Sequence, residues 1–186
     1  QIFILRQQAE SLRILHRGDE AEVLLKDALQ KATHFNLESE RRAILYGLSG
    51  LSVTQVDIDY ASNLLEQSLV GHPNGIEIYN QRIREAEIAC AQGNVEGAHR
   101  KLVEAEQIEG LQPQLMANLL HRRSHLYLID SHFEQALETA EQAAPYFQAS
   151  GGVVGLASLY RDMATCQMSL KRPYQALQYF RKSMGL

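Results

Sequence analysis

The sequence predicts an all-α, right-handed solenoid built from five helical pairs, and three observations carry that prediction. The first is recurrence. Ala21, Ala61, Ala98, Ala136 and Ala176 stand 40, 37, 38 and 40 residues apart. Each opens the same pattern of a small residue, a residue four positions on and a small one after three more. The instances are Ala21–Leu25–Ala28, Ala61–Leu65–Ser68, Ala98–Leu102–Ala105, Ala136–Ala140–Ala143 and Ala176–Phe180–Ser183. A fixed period of this size is the signature of a repeat array. The second is periodicity: apolar residues recur at helical spacing, and Val, Ile and Thr never alternate as in a strand. The third is punctuation by Gly and Pro at intervals that match helix ends.

Ten helices follow, over 2–17 and 19–35, 39–54 and 57–70, 76–92 and 94–108, 112–129 and 132–149, and 153–170 and 173–184. In Arg17-Gly18-Asp19 and Gln92-Gly93-Asn94 a glycine is expected to take the left-handed stop of one helix. Asp19-x-x-Glu22 and Ser131-x-x-Glu134 have capping-box spacing. Pro73, Pro113, Pro145 and Pro173 fall near predicted ends or first turns. Further breaks are read at Gly71-His72-Pro73-Asn74-Gly75, Glu109-Gly110 and Ser150-Gly151-Gly152. Small residues let paired helices approach closely, and a pair that cannot bury its apolar face alone is completed by its neighbours. No low-complexity linker divides the chain. Residues 1–186 are therefore read as one repeat domain, with units at about 1–37, 38–74, 75–111, 112–151 and 152–186.

Composition narrows the function. Of 186 residues, 45% are apolar, enough for a continuous core. A net charge of −4 argues against a general nucleic-acid or anionic-membrane binder. No apolar run approaches the roughly 20 residues of a membrane span, and no signal peptide or N-glycosylation site is evident. Cys90 and Cys166 fall on helices two units apart and are expected to be free thiols, fitting a cytoplasmic location. The chain opens at Gln1 in an apolar stretch and stops just after the last repeat signature, as expected of a fragment of a larger protein.

The local sequences Gln92-Gly93-Asn94-Val95-Glu96-Gly97-Ala98, Ser131-His132-Phe133-Glu134-Gln135-Ala136-Leu137 and Arg172-Pro173-Tyr174-Gln175-Ala176-Leu177-Gln178-Tyr179-Phe180 resemble the turn and second helix of the tetratricopeptide repeat (TPR). Pro73 stands where the family's terminal proline falls. The chain departs from the usual period of about 34 residues and has no Trp. The family's small Gly in the first helix is replaced by Ser49, Ala86, Ser124 and Ala164. The turn of the first unit reads two residues short. The longer units resemble the sensor regions of MalT-type bacterial regulators. This resemblance implies a binding surface rather than catalysis.

Motifs for chemistry are lacking: there is no Walker loop, dinucleotide turn, HExxH or nucleophile elbow. No enzyme activity, cofactor or metal is expected. His121 and His125 share a helix face, but the residues between them are Arg122, Arg123 and Ser124, and those cations oppose a metal. In the family, first helices line the concave face. On that register Arg84, His121, Arg122, His125 and Arg161 converge on a groove suited to a carboxylate or phosphate. The competing reading is a solvated face neutralised by Glu87 and Asp162. Tyr46 is a candidate ligand contact, with Gly47 and Gly50 leaving the groove shallow beside it. Arg82, Glu85 and Arg123 fall where an apolar side chain is usual; Glu85 and Arg123, at equivalent places on adjacent first helices, either pair with each other or are turned outward.

The expected partner is a protein or peptide, acidic in character. A second copy is expected to meet an apolar C-terminal end formed by Leu177, Phe180 and Met184. The alternatives are a small-molecule effector domain of a MalT-like transcriptional regulator, or a structural, self-associating spacer. Direct nucleic-acid or membrane contact is not expected.

Overall fold

The computed structural model describes residues 1–71 and 74–186, so Pro73 and the centre of the break around it lie outside the described residues. Among the described residues there are ten α-helices and no strand. The chain forms two compact units, Gln1–Asn94 and Val95–Leu186. The first holds α1 (Ile2–Ile14), α2 (Gly18–His34), α3 (Glu38–Thr54), α4 (Ile58–Ser68) and α5 (Gly75–Ala91). The second holds α6 (Val95–Glu106), α7 (Pro113–Ile129), α8 (Phe133–Ser150), α9 (Val153–Ser169) and α10 (Pro173–Met184).

In each unit consecutive helices pack as hairpins: α1 on α2 and α3 on α4, then α7 on α8 and α9 on α10. All five signature alanines are fully buried. Twelve residues before each stands a buried small residue of the preceding helix: Ala9, Ser49, Ala86, Ser124 and Ala164. Ala9 belongs to this set although the sequence pattern alone did not single it out. The two serines add a clip. Ser49 Oγ donates to the Ala61 carbonyl at 2.8 Å, and Ser124 Oγ donates to the Ala136 carbonyl, also at 2.8 Å. A buried hydroxyl thus satisfies itself on the backbone of its paired helix, at the closest approach.

The turns differ from the sequence expectation. Five residues before each signature alanine sits a residue with positive φ: His16 (57°), Val56 (64°), Gly93 (75°), Ser131 (60°) and Lys171 (58°). The first turn is therefore no shorter than the others. Gly18 is not the left-handed stop. His16 takes that conformation and Gly18 begins α2. Ser131 occupies the same left-handed position, one residue outside the cap, so neither expected capping box forms. A capping box does form between Asn74 and Glu77 at the start of α5. Pro113 and Pro173 stand in first turns as expected. Pro145 does not lie near an end. It is inside α8, where its missing N–H removes one intrahelical hydrogen bond.

First helices share a register. Counting from the small residue, positions −5, −1 and +2 form one ridge. In α3 these are Ile44, Leu48 and Leu51, and in α9 Leu159, Met163 and Cys166, all nearly fully buried. In α7 they are Leu119, Arg123 and Leu126. The charge there is met by Glu106 of α6, 2.6 Å from Arg123 Nη2. In α5 they are Gln81, Glu85 and Ile88, and Glu85 accepts from Arg82 and Gln81. Both misplaced charges thus have partners in their own unit, and both remain half-buried.

Candidate groove faces and their relatives

The first helices of the N-terminal unit bring together Arg13 on α1, Tyr46 and Gly50 on α3, and Arg84 and Glu87 on α5. The Arg84 guanidinium lies over the Tyr46 ring, 4.5 Å from its centroid. It also fills the space above Gly50, where an added Cβ would collide with the guanidinium. The groove beside Tyr46 is therefore not open as the glycines suggested, because Arg84 occupies it. Leu25 lies against Gly47. Arg84 Nη1 pairs with Glu87 Oε2, and the side chain is only 13% exposed. Its buried Nε has no partner.

Arg13 completes this face. It pairs with Glu10, which holds the Arg13 pKa above and the Glu10 pKa below their usual values. The charges of Glu87 and Tyr46 act on Arg13 in the same sense. Sequence reasoning missed Arg13, whose counterparts four residues after the other small residues are Val53, Cys90, Leu128 and Met168. The face therefore presents two cations and two carboxylates, closely paired.

In the C-terminal unit the corresponding face comes from α7 and α9. His121 Nε2 meets Asp162 Oδ2 at 2.9 Å, linking the two helices. Beneath them the His121 ring stands edge-on to buried Phe147 of α8, with centroids 5.9 Å apart. Phe147 fits because α9 carries Gly155, where an added Cβ would run into the ring. Arg122 and His125 are exposed on α7. Arg161 is 66% exposed and reaches Ser158 Oγ at 3.1 Å and Asp162 at 3.8 Å. Two arginines and two imidazoles thus share this face with Asp162. His121 is tied to Asp162, whereas His125, four residues on, is exposed on α7.

Cys90 and Cys166 are free thiols. Burial pushes the Cys166 thiol up to about 11, with Asp162 adding to the effect. No helix of the described residues is long and apolar enough to cross a membrane.

No protein-family model matches this sequence, and no curated protein matches it. Solved structures do. TTC0263, a TPR protein of Thermus thermophilus, superposes with a TM-score of 0.75 at 17% identity, over 100% of this chain and 91% of its own. A signal-transduction ATPase with a tetratricopeptide repeat sensor from Pyrococcus horikoshii gives 0.71 at 15% identity, over 98% of this chain. This chain spans only 28% of the length of that protein. YrrB, described as a TPR protein with an unusual peptide-binding site, gives 0.51 at 15% identity, over 97% and 84%. The small-residue contacts, the recurrent turns and these superpositions agree: the chain has the fold of the tetratricopeptide-repeat proteins.

Proposed function

We propose that residues 1–186 form a protein- or peptide-binding scaffold or sensor domain of a larger cytoplasmic regulatory protein, acting in signalling or transcription regulation without chemistry of its own. One observation carries the choice of ligand: α7 and α9, joined by the His121–Asp162 contact, carry the exposed side chains of Arg122, His125 and Arg161. Such a face suits an acidic peptide, whose carboxylates arginine forks can grip. His121 contributes by anchoring Asp162. In the N-terminal unit, Arg84, stacked on Tyr46 and paired with Glu87, serves as a wall rather than as a free charge. The peptide-binding site attributed to YrrB supports this use of the fold.

An acidic peptide titrated against the chain tests the reading. Each exposed cation contributes about 0.5–1 kcal/mol. Arg122→Ala with Arg161→Ala should therefore weaken binding by roughly 5- to 30-fold and flatten its salt dependence. Unchanged affinity in a folded variant rejects it.

The tetratricopeptide repeat sensor of the P. horikoshii protein favours a second reading, a small-molecule effector domain of a MalT-like regulator. A neutral effector would bind with little salt dependence and be indifferent to the same variants.

A further inference from the structure

The polar contact that joins α7 to α9 is made by an imidazole. His121 Nε2 lies 2.9 Å from Asp162 Oδ2, and the two side chains are only 20% and 13% exposed. The equivalent contact of the N-terminal unit is built differently. There Arg6, also three residues before its helix's small residue, meets Glu40 of α3 at 2.6 Å. A guanidinium is charged at every working pH, whereas imidazoles are the side chains that change charge between about pH 5 and 8. A second imidazole, His125, stands exposed one turn along α7, at the position where α1 and α5 carry Glu10 and Glu87.

Protonation changes what this face offers an acidic ligand. A carboxylate only accepts, so in the neutral ring Nε2 carries the hydrogen that Asp162 receives, and Asp162 keeps its negative charge. An imidazolium donates through the same nitrogen and cancels that charge. From α9 the charged group that meets His121 is Asp162, itself approached by Arg161 Nε at 3.8 Å. From α8 it is met by the uncharged ring of Phe147, and on its own helix it is flanked by Arg122 and His125. The Cys166 thiol, which feels Asp162, is pushed up to about 11 and so stays neutral across this range.

We propose that the acidic-peptide face is gated by protonation: His121 and His125 take up protons as pH falls from about 7.5 to about 5.5, and the face then holds an acidic peptide more tightly. His121 acts by cancelling Asp162, which otherwise repels the peptide's carboxylates. His125 acts by adding a cation that meets them directly. The inference rests on the reading of this face as an acidic-peptide site and adds its regulation. By linkage, a bound acidic peptide draws protons onto the same two rings.

The probe is a labelled aspartate-rich peptide, titrated against the full chain by fluorescence anisotropy at the two ends of that pH range and at constant ionic strength. Aspartate, with an ordinary pKa of about 3.9, stays ionised at both ends. Affinity is expected to rise roughly 3- to 10-fold at the lower pH, with a steeper salt dependence there. His121→Gln with His125→Gln should bring the two affinities together. His132→Gln, on an exposed residue of the α7–α8 turn that pairs with Asp130, should leave the rise intact. Asp162→Asn should raise affinity at the higher pH and remove His121's share of the rise, a gain that loss of structure would not give. Equal affinity at both pH values, or a rise that survives the double variant, overturns the gate and leaves the acidic-peptide reading standing. No binding at either pH overturns both.

Discussion

The two units present the same kind of first-helix face with opposite electrostatic outcomes. In the N-terminal unit Arg13 pairs with Glu10, and Arg84 with Glu87 over Tyr46 and Gly50. In the C-terminal unit the position of Glu87, one after the small residue, is His125, and the position of Arg84 is Arg122. The carboxylate that meets Arg84 from its own helix thus has no counterpart one turn along from Arg122, where an imidazole stands. The lesson is that a repeat fixes where side chains stand, while each unit's own neighbours decide whether a charge is neutralised internally or offered to solvent. A cation already paired within a helix turn makes a poor ligand contact, because the ligand must first displace a carboxylate held beside it.

The largest expected effect probes how the two faces are supported. Gly155→Ala drives a Cβ into the rigid, buried Phe147 ring, whereas Gly50→Ala meets only the tip of Arg84. The first should cost about 1–3 kcal/mol in urea unfolding and disturb His121 as well. The second should cost less and expose Arg84. Equal losses would mean that the faces are built alike.

The turns come next. Val56 holds φ 64°, a conformation costly to a β-branched residue, at the position where the turn before α6 has Gly93. Val56→Gly should stabilise the chain by ~1 kcal/mol, read as a higher midpoint. A neutral or destabilising result would show that the turn is not strained.

Glu87→His copies the C-terminal unit's choice into the N-terminal one. It should release Arg84 and raise acidic-peptide affinity two- to threefold, or about 0.5 kcal/mol. No gain would show that stacking on Tyr46, rather than Glu87, keeps Arg84 from ligands.

The smallest effect is in pH dependence. Burial, with nearby Arg123, lowers the pKa of His99, whose Nε2 is buried without a partner. The unfolded chain then binds a proton that the folded one resists. His99 therefore makes stability fall as pH drops through about 6.5, the unfolded value. His99→Gln should remove that part of the pH slope below neutrality. An unchanged slope between pH 7 and 5 would reject the assignment.

The sequence by itself determined the repeat. Five alanines at a near-constant period mark places where two helices approach too closely for a larger side chain, so their spacing fixes the helix pairs and the fold class. The ten helix positions were legible to within about three residues for the same reason. The turn chemistry was not. His16, Val56, Ser131 and Lys171 carry no composition signal for a left-handed residue. The fold imposes that conformation because the next helix must start just before its alanine packs. Nor was the pairing of the groove charges. Arg84, His121 and Arg161 read alike in the sequence, as basic residues on one expected face, yet one is stacked, one is tied to Asp162 and one is in solvent. Those outcomes depend on distances of a few ångströms between side chains far apart in sequence, which only the packed helices set.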